Sequence, residues 1–326
     1  MKTVVVGGGA FGTAIAEAIA RSGRPVKLLC RTQIQASSIQ TTGRNLTYFP
    51  TIVLSGLIEA TADCGVCSGA DVLFLAFPAR ELTKSFQQRI MPILRAGTIV
   101  VNLIKGFDEE FLTFARRFAI IAPHLEYVSL KGPTFARPVL LNEFGGMTIG
   151  ATSAHSDTSV RSLFSHSLLD FDSSSSPDAV DAVSALKNIY AILLGIFASS
   201  NFGENSTFGL MSKILKEARN VLIALDVSPE ILDNYCGTGD ILLTGLCETS
   251  RNRTFGIMLG KGVIVDSSCN NFLAEGARSV SIVAGRVNPV VGPMVHDLKM
   301  LIDGDITVGN MLSKFTGAGS SMALIR

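Results

Sequence analysis

The stretch "MKTVVVGGGAFGTAIAEAIARSG" (1–23) decides the fold. Val4, Val5 and Val6 form a β-branched apolar run of the kind that makes a buried strand. Gly7-Gly8-Gly9-Ala10-Phe11-Gly12 follows at once, and the alanine-rich segment behind it predicts a helix over Gly12–Arg21. The spacing of Gly7, Gly9 and Gly12 fits G-x-G-x-x-G, where glycines permit a tight turn, close approach of a pyrophosphate and close helix–strand packing. The first N–H groups of such a helix face the phosphates, and the helix dipole favours their negative charge. A glycine-rich turn alone is unspecific, and a merely structural tight turn is the alternative. The strand–turn–helix setting points instead to dinucleotide binding, with Gly7, Gly9, Ala10, Phe11 and Gly12 as candidate cofactor contacts.

Working outward, the same rhythm recurs. Val26–Leu29, Val72–Ala76, Thr98–Asn102, Tyr127–Leu130 and Thr148–Ile149 read as further buried strands separated by helical or turn segments. Continuous apolar strands of this kind indicate a parallel sheet covered on both faces. At "FDSSSSPDAVDAVSALKNIYAILLGIFASS" (171–200) the rhythm changes: four serines predict a linker, and Pro177 and Asp178 suit a first helical turn. Val183, Leu186, Tyr190, Leu193 and Phe197 then recur at three- and four-residue steps, predicting one apolar helix face. From there onward the pattern is helical. The expected architecture is a Rossmann-type doubly wound α/β domain over 1–178, followed by an all-helical domain over 179–326.

With 326 residues, two domains are the natural expectation, and 47% hydrophobic against 17% charged residues excludes a disordered chain. A net charge of +1 does not point to a polyanion-binding surface, so no nucleic-acid partner is expected and any phosphate must be caught by a local cluster. The opening apolar run is too short for a signal peptide, and Ile189–Ala198 is about half a membrane span. A cytoplasmic protein without stable membrane insertion is expected. Cys30, Cys64, Cys67, Cys236, Cys247 and Cys269 are scattered, which favours reduced thiols. Cys64-Gly-Val-Cys67 lacks a second pair at zinc spacing and the four histidines form no ligand pattern, so no metal is expected.

The end of the second strand separates NAD from NADP, a carboxylate gripping the ribose hydroxyls and an arginine accepting the 2′-phosphate. Here the chain reads Leu28-Leu29-Cys30-Arg31-Thr32-Gln33, without an acid. Arg31 therefore tilts the reading toward NADP, or tolerance of both cofactors with a modest NADPH preference. Lys105 follows a buried strand directly, where open α/β sheets bind ligands. Lys187 stands inside an apolar helix, where an ammonium must be paired, neutralised or snorkelled to the surface. Asp240 is a possible counter-charge, and Ser250-Arg251-Asn252 offers donors suited to a phosphate.

Taken in order, these patches resemble the NAD(P)-dependent glycerol-3-phosphate dehydrogenases of bacterial type. The motifs are Gly7–Gly12, "NLTYFP" (45–50), "KGFD" (105–108), "KGPTFAR" (131–137), "LKNIYA" (186–191), "GEN" (203–205), "GTGD" (237–240), "SRNRTFG" (250–256) and "AEG" (274–276). The resemblance implies reversible reduction of dihydroxyacetone phosphate to sn-glycerol 3-phosphate, feeding phospholipid synthesis. It makes Lys187 the proton donor and acceptor, Lys105 a catalytic lysine touching cofactor and substrate, and Asp240 and Asn205 the groups orienting Lys187. Gly132 and Thr134 become substrate contacts, Thr134 standing for the usual serine. Ser250, Arg251 and Asn252 become the phosphate site, with Arg251 also near the cofactor, and Ala136 and Glu275 become further cofactor contacts. A homodimer through the helical half is expected. The bacterial pattern "SGPSFAKEV" is altered to "KGPTFARPV", with Lys131 for serine and Pro138 for glutamate, and Glu204 precedes Asn205 in place of aspartate. Lys131 thus adds a charge near the substrate end of the sheet. Two alternatives stand beside this reading. One is another two-domain dehydrogenase acting on a different hydroxy acid, which calls for a carboxylate-binding arginine; the other is a catalytically dead dinucleotide sensor, which has no use for the buried lysines.

Overall fold

The opening valines form β1 (Thr3–Val6), and the chain continues through α1 (Ala10–Arg21), β2 (Val26–Leu29), α2 (Gln33–Thr42), β3 (Ile58–Thr61), β4 (Val72–Leu75) and β5 (Ile99–Asn102). Next come α3 (Phe114–Ile121), β6 (Glu126–Lys131), α4 (Ala136–Leu140), β7 (Gly145–Ala151), α5 (Ala154–Ser162) and β8 (Leu169–Ser174). The computed structural model describes residues 1–108, 110, 112–200, 202–263 and 274–316, and the chain divides into two units, Met1–Asp181 and Ala182–Arg326.

In the first unit the strands form one sheet in the order β3-β2-β1-β4-β5-β6-β7-β8. Successive side chains of a strand point to opposite faces, and both faces are covered here. Val5, Leu28, Phe74 and Val101 enter one core with Ile15 and Ile19 of α1. Val4, Leu73, Leu75 and Val100 enter the other with Phe86, Phe114 and Phe118. The strands from β3 through β6 pair in parallel, so β1, β4, β5 and β6 all present their carboxyl ends at the same edge.

Three features depart from the expected pattern. β7 runs antiparallel to β6. The segment between them carries the five-residue α4 in place of a full crossover helix, so the chain turns back at the same sheet edge. The serine-rich segment predicted as a linker is in large part β8, in parallel register with β7 from Gly145↔Leu169 to Gly150↔Ser174. Arg161 holds this edge by donating to the Phe171 carbonyl and Ser173 Oγ, both at 2.8 Å. The third is β3, read from "IEAT", which is too short and too polar to register as a buried run.

α6 (Pro177–Ala198) contains the boundary between the units. The sequence predicts one apolar face, yet every residue from 181 to 197 is buried. Small residues on the remaining faces (Ala182, Ser184, Ala185, Ala191, Gly195) explain how: a helix buried all round needs neighbours at close range. α6 is long and apolar enough to cross a membrane, but the qualifying window is wholly buried inside the protein. The second unit adds α7 (Glu204–Ala224), α8 (Asp240–Leu246), α9 (Arg251–Gly260), α10 (Ala274–Ala284), α11 (Pro293–Asp303) and α12 (Val308–Thr316). α11 packs against α7, α10 and α12.

Candidate active site

At the edge where β1 ends, the chain is built of backbone. Gly7 has φ +118°, and a Cβ there would lie 2.3 Å from the Ala76 carbonyl oxygen. A Cβ on Gly12 would lie 2.0 Å from the Gly7 carbonyl oxygen, so these two glycines let α1 close onto the strands. Gly9 differs: a Cβ there would meet nothing within 4 Å. It stands at the start of α1, which has no side-chain cap, and opens on a cleft of about 270 Å³. The cleft is lined by Gly7–Gly9, Arg31, Tyr48, Phe77, Glu81 and Arg89. Ala10 and Phe11 are half-buried in the first turn of α1, and Arg31 is exposed. A groove that a side chain at Gly9 would enter, ending at free helix N–H groups, suits a dinucleotide pyrophosphate. Arg31 and Arg89 supply cations on its wall.

Sequence reasoning missed two groups that hold this turn. Gln35 Nε2 and Asn45 Nδ2 both donate to the Gly8 carbonyl, at 2.6 and 2.9 Å, and Asn45 also reaches Thr13 Oγ1 at 2.8 Å. Asn45 opens the "NLTYFP" motif, which was the available signal. Burial pushes the Cys30 thiol beside the turn up to about 11 and Cys67 to about 12, so both are protonated and unreactive at neutral pH.

At the same edge, Lys105 lies three residues past β5 and is half-buried, while Gly132, Thr134 and Ala136 follow β6. Gly132 has no room for a side chain, since a Cβ would sit 2.3 Å from the Gly146 carbonyl oxygen. Thr134 is buried, and its hydroxyl donates to the Gly132 carbonyl at 3.4 Å. Lys131, expected to add a charge at this edge, is only 1% exposed and lies 3.3 Å from Asp181 Oδ1. Its charge is compensated inside the unit.

The second unit holds the other expected lysine. Lys187 Nζ is 2.5 Å from Asp240 Oδ1 and 3.1 Å from Thr244 Oγ1, and all three residues are buried. Thr244 also donates to Asp240 Oδ1 at 3.2 Å. Asp240 starts α8 behind an irregular turn, Tyr235–Gly239, in which Gly237 leaves helical geometry; a Cβ there would lie 2.4 Å from the Ile231 carbonyl oxygen. Thr244 was missed, although its place one helical turn after Asp240 is a readable signal. α9 is held close to α6 by two facing glycines: Cβ atoms on Gly195 and Gly256 would lie 2.1 Å from the Arg253 and 2.0 Å from the Ile192 carbonyl oxygens. That contact brings Asn252 Nδ2 to 2.8 Å from Asn188 Oδ1, adjacent in sequence to Lys187. Ser250 caps α9 through the Arg253 N–H at 3.3 Å, and Arg251 is exposed in the first turn. Asn205 does not join this group: it is exposed at the start of α7 and makes no hydrogen bond to Lys187 or Asp240 among the described residues. The side chain of Glu275 lies outside the described residues. Among the described residues no cluster of three or more His, Cys, Asp or Glu has metal-binding geometry.

Residues 2–157 match the family description "NAD-dependent glycerol-3-phosphate dehydrogenase N-terminus", and residues 177–313 match its C-terminal counterpart. The chain is 33% identical over 317 residues to glycerol-3-phosphate dehydrogenase [NAD(+)] 2, chloroplastic, of Arabidopsis thaliana, covering 94% of this chain and 75% of that one. It is 29% identical to glycerol-3-phosphate dehydrogenase [NAD(P)+] of Teredinibacter turnerae, covering 98% and 96%. The crystal structure of glycerol-3-phosphate dehydrogenase from Coxiella burnetii superposes with a TM-score of 0.86 at 21% identity, covering 97% and 98%, and shares the fold.

Proposed function

The chain belongs to the NAD-dependent glycerol-3-phosphate dehydrogenase family, and from that premise we propose how its residues interconvert dihydroxyacetone phosphate and sn-glycerol 3-phosphate with NAD(P)H. The observation that carries the assignment of roles is the buried Lys187–Asp240–Thr244 cluster. The dinucleotide supplies the hydride, held at Gly7, Gly9, Ala10, Phe11 and Gly12. Lys187 gives a proton to the substrate carbonyl oxygen as negative charge grows there, and takes it back in reverse. Asp240 and Thr244 fix Nζ, so little reorganisation is left for the reacting state. Ser250, Arg251 and Asn252 hold the phosphate, whose binding energy orients the carbonyl. Lys105, Gly132 and Thr134 touch the substrate, Lys105 also the cofactor, with Ala136, Arg251 and Glu275 completing the cofactor contacts. Asn205 contributes to substrate binding from the start of α7.

In this reading residues 1–178 are the dinucleotide-binding domain and 179–326 the substrate and catalytic domain. Arg31, with Arg89 on the same cleft wall and no carboxylate after β2, supports a modest NADPH preference. A homodimer through the helical unit belongs to this reading, and gel filtration tests it. A cytoplasmic enzyme supplying phospholipid synthesis completes the proposal.

The deciding experiment follows NADPH and NADH oxidation with dihydroxyacetone phosphate, unphosphorylated dihydroxyacetone and simple 2-keto acids. Turnover is expected with the phosphate ester alone. Preference for a 2-keto acid would assign a different hydroxy acid, and binding of dinucleotide without turnover of any substrate would leave a sensor.

A further inference from the structure

Lys131 stands at the end of β6, where the bacterial pattern that this chain resembles has serine, and it reaches across to the neighbouring strand. Its ammonium donates to the Asn102 carbonyl at 2.6 Å and lies 3.3 Å from Asp181 Oδ1. The Asp181 carboxylate also accepts from Ser129 Oγ at 2.6 Å, the Tyr127 hydroxyl at 2.7 Å, the Ala115 N–H at 2.9 Å and Asn102 Nδ2 at 3.3 Å. Asn102 Oδ1 in turn accepts from the Ile104 N–H at 2.9 Å. The last residue of β5 is therefore gripped by its backbone carbonyl and by both ends of its side-chain amide. The turn behind it is pinned one residue before Lys105, and Gly106, at φ +111°, takes the chain away immediately afterwards.

We propose that Lys131 and Asp181 are positioning residues: they fix the exit of β5 so that Lys105 is presented to the substrate in one orientation, while Lys131 itself touches neither substrate nor cofactor. A buried charge persists only when paired and hydrogen-bonded, and a network satisfied at each member rigidifies what it holds. This inference rests on the role given to Lys105.

The test uses the double variant Lys131→Met/Asp181→Asn, which removes both charges and strands neither. It is expected to fold and to show kcat/KM for dihydroxyacetone phosphate lowered about tenfold, mainly through KM, because small misplacements of binding groups are costly. In a Lys105→Met background the same change is expected to cost less than about twofold, the mark of coupled residues. Calorimetric binding of dihydroxyacetone phosphate in the non-reacting complex with NADP⁺ is expected to weaken by the same factor. Tyr127→Phe removes one hydrogen bond to Asp181 with the ion pair intact, and gives a smaller loss with the same dependence on Lys105. Unchanged kinetics in folded variants, or equal losses with and without Lys105, overturn the proposal while leaving Lys105 its role. Wild-type kinetics in Lys105→Met alone overturn both.

Discussion

The cleft beside β1 and the cluster on α6 are built from opposite materials. The first is shaped by missing side chains: Gly7 and Gly12 let backbone meet backbone, and Gly9 opens onto unfilled space. The second is shaped by charged side chains carried into a buried region and matched there, Lys187 against Asp240. A site of the first kind is damaged by adding atoms, a site of the second by removing charge. Four experiments test that contrast.

The largest effect is expected at Lys187. Lys187→Met should lower kcat by about 10²–10⁴-fold with dinucleotide affinity nearly unchanged. Asp240 then remains buried without its cation at a cost of about 3–5 kcal/mol, so thermal unfolding fixes the temperature at which the folded variant is assayed. Near-normal kcat would remove Lys187 from the proton-transfer role.

The glycines separate geometry from ligand space. Gly7→Ala meets a backbone oxygen at 2.3 Å in a left-handed conformation, and should destabilise by at least about 1–3 kcal/mol. Gly9→Ala should leave stability within about 0.5 kcal/mol. It should still weaken NADPH binding about tenfold or more through lost charge-assisted hydrogen bonds to phosphate. Equal stability losses in the two variants would contradict the distinction.

Glu217 is a buried charge matched differently, by N–H groups in place of a cation. Its carboxylate accepts from the Met294 and Val295 N–H groups at 2.7 and 3.2 Å, capping α11. Burial, with Asp297 nearby, still pushes it from the ordinary 4.5 up to about 7. The folded state therefore holds a proton that the unfolded chain has lost between those values. Stability from this group falls as pH rises from 4.5 to 7, and the penalty is fully present above. Glu217→Gln does not titrate. It should match wild type near pH 4 and be more stable by about 1–3 kcal/mol above pH 7, read from denaturant midpoints. A constant difference across pH would contradict the assignment.

The smallest effect is expected at Arg31, which is exposed. Arg31→Ala should lower the NADPH/NADH ratio of kcat/KM about tenfold or less, and raised salt should narrow the wild-type ratio. An unchanged ratio would make Arg31 a solvated loop residue and leave Arg89 as the cation to test.

The same contrast explains what could be read from the amino acids. Val4–Val6, the glycines behind them and the apolar runs of β2, β4, β5 and β6 are local patterns, each legible within a few residues, whereas the short polar β3 was not. β8 was not, because Asp170, Asp172 and Ser173 carry none of the apolar alternation that marks a strand, and its pairing with β7 comes from elsewhere in the chain. Lys187 and Asp240 were legible as candidates, yet their contact spans 53 positions and only the fold makes it. Lys131 shows the limit most clearly: its neighbours in sequence mark it as an added charge near a ligand. Its partners, Asn102 and Asp181, lie on a different strand and a later helix.

One detail of α1 reaches beyond catalysis. Thr32, Thr113, Ser153 and Ser250 each cap the helix that follows them, whereas α1 begins at Gly9, which has no side chain to offer its first N–H groups. A dinucleotide whose phosphates accept from those groups binds the folded chain and not the unfolded one. At a hundred times its dissociation constant, such a ligand adds about 2.7 kcal/mol to stability. The filled protein then spends less of its time unfolded than the empty one, so the missing cap couples ligand occupancy to resistance against unfolding and against proteases that cut the unfolded chain.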